Sequence, residues 1–326
     1  MDDLQYISEL AHELSDLELA LLICLGGQEH CLIEATEGNI HDVAAELALI
    51  CSHTFGLTYT VVEFSDTTSL EDFRDQVCTQ SRNEPASIID VVIAKNIDYA
   101  PESIQLEALE LMRSRKLTTA SSVLEAPLHF LFVPIVVRDS GQVRPKLKDH
   151  LNDNLFISHF HDSEDGYVYL EEDDWMSEGQ ESLSSVVRRP QTQNTAHSSI
   201  DHELLDALHS LSKTVKATAE LIRYQQDIVV FLRLSRAVAG GISARASVQF
   251  SKLARLLAVI HGIDYLTPSI VALAANKVFR HKIVVAKPED DRSLQYGSDL
   301  AAVANVLEYA TPDTILESVL TLEAPL

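Results

Sequence analysis

Residues 231–283 read FLRLSRAVAGGISARASVQFSKLARLLAVIHGIDYLTPSIVALAANKVFRHKI. Apolar residues recur every three or four positions through residues 250–260, which is the period of a helix with one buried face. A second helix is predicted to begin at Thr267, because its hydroxyl can accept a free backbone N–H group and the following Pro268 has no N–H group to leave unpaired. This stretch therefore predicts a helical unit, and the rest of the chain is placed relative to it.

Three motifs follow one another in this stretch: GISARA at 241–246, HGIDYLTP at 261–268 and VFRHK at 278–282. Together they resemble the C-terminal lid of AAA+ ATPases in the MoxR and magnesium-chelatase subunit I branch, and the chain looks most like the magnesium-chelatase-like proteins found in fungi. In that family the arginine of the first motif is the sensor-2 residue, which reaches the nucleotide phosphates. The resemblance implies this role for Arg245; the alternative is a solvated arginine in the first helical turn.

The chain has 326 residues, of which 46% are hydrophobic, and a formal net charge of −24. This length predicts two domains with buried cores. A strongly acidic chain is a poor partner for phosphate backbones and for anionic membranes, so neither nucleic acid nor a membrane is expected as a partner. The N-terminus lacks the pattern of a leader peptide. We expect a cytoplasmic protein, with the nucleus as the other possible compartment, and reduced core thiols at its four cysteines.

Composition and apolar spacing predict five segments. The resemblance implies an α/β fold class, in which a P-loop-type parallel-sheet core of AAA+ architecture precedes a C-terminal all-helical lid. The acidic composition of the middle segment, followed by polar residues, indicates a disordered connection. The five segments are an N-terminal helical segment (1–20), the AAA+-like α/β core (21–165), the acidic linker (166–199), a helical lid of the sensor-2 type (200–285) and a C-terminal helical tail (286–326).

A strand, a loop and a helix over residues 31–55 follow the order of a phosphate-binding loop. The family pattern is G-x-x-x-x-G-K-[ST], and residues 35–42 of this chain read ATEGNIHD. Gly38 lies inside this loop, His41 stands at the lysine position, and Asp42 replaces the hydroxyl that holds magnesium. Acidic side chains repel a triphosphate, and an imidazole is mostly neutral at cytosolic pH. The sequence therefore predicts a loop that keeps the turn and has lost the ligand.

The apolar run at residues 88–94 resembles the Walker B strand of the family. The family's catalytic pair is absent after it, because Lys95 replaces the magnesium-binding aspartate and Asn96 replaces the glutamate that activates water. A lysine cannot ligate a dication, and an asparagine amide cannot accept a proton from water. Residues 151–156 resemble the segment that carries the family's trans-acting finger arginine, and Asn154 occupies that place without a charge.

Two further sequence features are candidates for a metal site and for a docking motif. His159 and His161 would share one face of a strand, yet no further ligand with zinc spacing lies nearby, so we expect a rim feature and no metal site. The acidic run at residues 171–174, next to Trp175, is either a solubilising insert or a docking motif for a basic protein.

These patterns predict a catalytically degenerate AAA+ protein that acts as an assembly or adaptor module and does not hydrolyse ATP. We expect no catalytic residue and no cofactor, and partners that are other protein subunits, such as a ring of AAA+ relatives, or a basic protein. The vestigial candidates for nucleotide binding are Gly38, His41, Asp42 and Arg245. The alternative is an ATP-dependent subunit, magnesium-chelatase-like or chaperone-like, that binds ATP and Mg²⁺ and contacts the phosphates through His41 and Arg245. His41 would then be protonated by the bound phosphate, at a helix N-terminus that favours anions.

Overall fold

The computed structural model describes residues 3–79, 86–119, 122–138, 147–173 and 200–321. The helices are α1 (Asp3–Glu13), α2 (Asp16–Gly27), α3 (Ile40–His53), α4 (Leu70–Val77), α5 (Glu102–Ser114), α6 (Asp149–Asn154), α7 (Val168–Asp173), α8 (His202–Thr214), α9 (Ala219–Leu234), α10 (Ala244–Ile260), α11 (Pro268–Phe279), α12 (Leu300–Leu307) and α13 (Pro312–Leu320). The strands are β1 (His30–Ala35), β2 (Tyr59–Glu63), β3 (Val91–Lys95), β4 (Lys116–Thr118), β5 (Val123–Glu125), β6 (Leu131–Val137), β7 (Leu155–His161), β8 (Val238–Gly240) and β9 (Val284–Val285). Within the described ranges, no helix is both long enough and apolar enough to cross a membrane.

The chain divides into two compact units. The core unit comprises Glu9–Asp139 and Pro145–Ala207, and the lid unit comprises Met1–Ser8, Ser140–Arg144 and Leu208–Leu326. One division between the units therefore falls within α1, and another falls within α8. The division of the chain into five segments remains a prediction, and most of its acidic linker, residues 174–199, lies outside the described residues.

The core unit is built on a five-stranded sheet in the order β2-β3-β6-β1-β7, and every neighbouring pair is parallel. Continuous runs of buried apolar residues form these strands, as expected for a parallel sheet covered on both faces. The predicted parallel-sheet core is confirmed. In such a sheet the strand ends carry the ligand sites, because the loops that follow the strands meet at one edge.

Helices cover the two faces of this sheet. α3 packs over β2, β3 and β6, whereas α2 packs over β1 and β7. Side chains alternate between faces along a strand, and one face forms a hydrophobic cluster with α4, α5 and α6. Members of this cluster are Val62, Val92, Ala94, Phe132 and Val136 from the strands, and Phe73, Ile104, Ala108 and Leu151 from the helices.

The lid unit is helical, and α11 packs against both α10 and α13. The rings of Phe250 and Phe279 lie 5.1 Å apart at the α10–α11 contact. The predicted cap at Thr267 is confirmed, because its hydroxyl accepts from Ile270 N, and the hydroxyl of Ser243 caps α10 in the same way by accepting from Ala246 N. Short side-chain caps of this type begin helices by accepting a backbone N–H that has no helical partner.

The structure differs at two places from what the local sequence indicates. A glycine pair is typical of a turn, but Gly26 and Gly27 lie inside α2, and the chain turns one residue later at Gln28, whose φ is 52°. α7 forms within the segment predicted to be disordered. The buried carboxylate of Glu46 holds it there, accepting backbone N–H groups from Val168, Tyr169 and Leu170 at 3.0 Å each.

Candidate functional site

The loop between β1 and α3 has the length and place of a phosphate-binding turn. Residues 36–39 join the two elements, and Asn39 N donates to the carbonyl of Thr36 at 3.0 Å. The first N–H groups of a helix have no carbonyl to bind within the helix, so they are available to a ligand. Gly38 has no left-handed φ, and a Cβ there would meet no atom within 4 Å. The predicted turn is present, and its backbone does not require a glycine at position 38.

A buried lysine stands at the edge of the sheet beside this loop. Lys95 is the last residue of β3 and is 7% exposed. Its Nζ lies 2.9 Å from His41 Nδ1, in the first turn of α3, and 3.0 Å from Glu63 Oε2, at the end of β2. An ammonium group can only donate, so Nδ1 of His41 is the acceptor and carries no proton. The structure thus brings together His41, of the predicted phosphate-binding loop, and Lys95, at the predicted Walker B position.

This arrangement does not fit a magnesium ion. Mg²⁺ in nucleotide sites is held by carboxylate oxygens and phosphates, whereas β3 ends in an ammonium whose carboxylate neighbour, Glu63, is already engaged with it. A dication about 4 Å from an ammonium would be repelled by on the order of 8 kcal/mol at an effective dielectric constant of about 20. Among the described residues, no group of three or more His, Cys, Asp or Glu side chains is placed to hold a metal ion.

Asn96 and Asn154 stand at two positions where the resembling family has catalytic residues, and both have structural roles here. Asn96 adopts a left-handed φ of 59°, and its N–H donates to Ile135 O at 2.9 Å. Asparagine tolerates this region better than most side chains, so position 96 suits the turn. Asn154, at the predicted finger position, is the last residue of α6 and is only 5% exposed. A side chain buried in its own unit does not reach a neighbouring subunit.

Arg138 follows β6, where the family places a polar sensor residue. Its Nη1 lies 3.5 Å from Glu34 Oε2, and its guanidinium carbon lies 4.9 Å from the centre of the Phe160 ring. These contacts place the guanidinium against the β1–β7 end of the sheet. Asp139, the next residue, lies outside the described residues.

In the lid unit, Arg245 is the second residue of α10, and its side chain is exposed. Within the described part of the chain it makes no hydrogen bond or ion pair. The preceding loop is held by Arg233, which donates to the carbonyls of Ile242 at 3.0 Å and Ser243 at 3.2 Å. No sequence motif marks Arg233; its only signal is that it is a basic residue in the last turn of α9, where such side chains often bond to carbonyl groups.

The same loop depends on Gly241. Its φ is +96°, and a Cβ there would lie 1.7 Å from the carbonyl oxygen of Lys282. The first and third lid motifs therefore meet at this point, because the backbone of one lies directly against the backbone of the other.

His161 is a buried residue at the end of β7. It pairs with Ala35 across β1 and β7, so it lies beside the start of the loop, and it is 3% exposed. Neither of its ring nitrogens has a hydrogen-bond partner among the described residues, and the Tyr167 ring lies 5.2 Å away. Burial, and then the charge of Asp42, raise the pKa of Tyr167. The predicted rim feature is wrong, because β7 lies beside β1 and buries both His159 and His161.

Comparisons with known proteins agree with this geometry. Residues 231–302 match the family model for the AAA lid domain. A solved structure of a protein from Cytophaga hutchinsonii, described as a "putative ATPase", superposes with a TM-score of 0.68 at 15% identity, covering 100% of this chain and 96% of that one. The chain has the AAA+ fold. The predicted α/β fold class with a helical lid is thereby confirmed.

A second solved structure, a full-length MCM homolog from Methanopyrus kandleri, has a TM-score of 0.48 at 14% identity and covers 86% of this chain and 61% of that one. No curated protein matches the chain in sequence. The AAA+ fold thus rests on the lid match and on the whole-chain superposition. The MoxR and magnesium-chelatase branch, and the roles of Gly38, His41, Asp42 and Arg245, remain predictions.

Proposed function

We propose that this AAA+ fold is catalytically degenerate, that it belongs to the MoxR and magnesium-chelatase-like branch, and that it acts as an assembly or adaptor module without hydrolysing ATP. The observation that carries the proposal is the ion pair at the end of β3, in which the side chain of Lys95 is buried and that of Glu63 is exposed. Lys95 occupies the place of a metal-binding carboxylate, and its ammonium bonds to Glu63 and His41 within the protein. The ammonium of Lys95 occupies the position where Mg²⁺ would bind, so this site does not hold Mg²⁺ as well.

The proposal also follows from the charges on the loop itself. Glu37 and Asp42 lie where the phosphates of a nucleotide would approach, and no lysine of the loop offsets them. His41 offers a neutral nitrogen to Lys95, so its protonation by a phosphate would first require this contact to break. The finger position adds no charge, and we expect that Asn154→Arg alone gives no phosphate release.

The test is nucleotide binding with magnesium, measured by titration calorimetry on the full chain. We expect no saturable ATP binding tighter than about 1 mM. The matched control is His150→Ala, because His150 is an exposed histidine of the same unit on α6. Magnesium-dependent binding below this concentration that is lost in His41→Ala, and kept in His150→Ala, would overturn the proposal.

Two cations favour a second candidate, an ATP-dependent subunit of chelatase-like or chaperone-like type. Arg245 presents an exposed guanidinium in the first turn of α10, without a partner among the described residues, as a phosphate sensor would. The Nζ of Lys95 lies 2.9 Å from Nδ1 of His41, in the first turn of α3. Under this alternative ATP and Mg²⁺ bind, and Arg245→Ala lowers the affinity for ATP.

The partners proposed are other protein subunits in a ring or a smaller assembly, or a basic protein, within the cytoplasm or the nucleus. Sedimentation of the purified chain with and without ATP tests self-assembly. The basic-partner version depends on residues 171–174, whose side chains lie outside the described set. If the chain still binds polylysine after residues 166–199 are deleted, the proposal of a basic partner for this segment is wrong.

A further inference from the structure

Two histidines stack in the core unit, away from the loop and Lys95. His129 lies just before β6, and His202 is the first residue of α8. Their rings are 4.9 Å apart and inclined by 24°, so they stack nearly face to face. One turn further along α8, Asp206 Oδ1 lies 4.0 Å from His129 Nε2. We refer to His129 and His202 as the histidine pair.

The members of the pair differ in their surroundings. His129 is 8% exposed, and its Nδ1 has no hydrogen-bond partner among the described residues, whereas His202 is exposed. Burial, and next the neighbouring His202, lower the pKa of His129; Asp206 and Asp90 oppose this shift, and Arg115 adds to it. The environment of His129 therefore favours a neutral imidazole.

The pair helps to hold the start of α8 on the core unit. The other described anchors are the hydrogen bond from Ile200 N to Thr54 O, at 2.7 Å, and the buried side chain of Leu205. Two neutral imidazoles can stack, but two imidazolium rings at this distance repel each other, and the buried Nδ1–H of a charged His129 would lack an acceptor. Asp206 compensates only in part, because its side chain is 59% exposed.

We propose that the histidine pair is a pH-sensitive latch, which holds the first turns of α8 against the His129 loop when both rings are neutral and loosens them when both are protonated. Because the pKa of His129 is lowered in the folded chain, the docked form binds fewer protons than the released form. The latch is therefore complete above the ordinary histidine pKa of about 6.5 and weakens as the pH falls below it. α8 also contains one of the divisions between the two units.

The test is hydrogen exchange of the full chain at about pH 7.5 and about pH 5.5, corrected for the intrinsic exchange rate. We expect protection of residues 200–207 to fall by about threefold or more at the lower pH. His202→Gln keeps a polar side chain that cannot be charged, so this response should become smaller, and the part that remains comes from the burial of His129. His150→Ala, which removes an exposed histidine outside the pair, should keep it. An unchanged wild-type protection, or a full response in His202→Gln, would overturn the proposal.

A second measurement does not depend on the opening of α8. The titration of the His129 ring, followed by NMR, should have its midpoint below the ordinary histidine pKa of about 6.5, and His202→Gln should move the His129 midpoint upwards because one repelling neighbour is gone. A His129 midpoint at or above about 6.5 would contradict the latch.

Discussion

Replacing Gly241 by alanine tests the close approach of the Gly241 and Lys282 backbones in the lid unit. A left-handed φ costs an alanine about 1–2 kcal/mol. The added Cβ would also lie 1.7 Å from the Lys282 carbonyl oxygen, so that backbone must move. Lys282 is 1% exposed and its Nζ bonds to the buried side chain of Gln249, so the movement disturbs a packed region and costs about 1–3 kcal/mol.

The two effects together predict that Gly241→Ala lowers the free energy of unfolding by about 2–5 kcal/mol. This is a large share of the ~5–15 kcal/mol that a folded domain has. Gly240→Ala is the matched control, because its Cβ would meet no atom within 4 Å and its φ is not left-handed. The control should change stability by less than about 1 kcal/mol.

Urea unfolding of both variants gives the two free energies, and hydrogen exchange of α10 and α11 peptides assigns the loss to the lid unit. Equal stability of Gly241→Ala and Gly240→Ala would refute the close approach of the two backbones. Loss confined to peptides of the core unit would refute the assignment of the contact to the lid.

Other predictions concern how α7 and the segment after β9 are held. Glu46→Gln removes a carboxylate that accepts three backbone N–H groups, so α7 should become cleavable by protease and the chain should lose about 1–3 kcal/mol of stability; unchanged cleavage would contradict this. Arg236 bonds to both carboxylate oxygens of Asp291 and holds the pKa of that group well below its usual range. Because the folded pKa is depressed, this pair stabilises the fold above about pH 4 and the contribution is lost as the pH falls further. The thermal midpoint of Arg236→Gln should therefore lie below that of the wild type at pH 7 and approach it in acid; a constant difference would contradict the argument.

The sequence predicted most of the lid unit because its signals are local. The caps at Ser243 and Thr267 act over three residues, and the apolar period of α10 is unbroken. The parallel strands were predicted for a similar reason, since continuous β-branched and aliphatic runs suit strands buried on both faces. These patterns need no knowledge of which element packs against which.

The missing parts depend on contacts between distant residues. β7 carries two histidines that resemble a polar rim in sequence, and only its pairing with β1 shows that they are buried. α7 is acidic, and its helix is held by Glu46, more than a hundred positions earlier. The substitutions at positions 41 and 95 were visible in the sequence. Their direct contact was not, because 54 residues separate them and only the sheet order brings their elements together.

Catalytic degeneracy is tested most directly by ATP turnover with magnesium, measured across the fractions of a final size-exclusion step. We expect no phosphate release that follows the concentration of the chain, because Lys95 stands where a magnesium ligand is needed and Asn96 cannot activate water. Turnover that rises in proportion to the chain across the peak, and that vanishes in Arg245→Ala, would contradict it and make this protein a working ATPase.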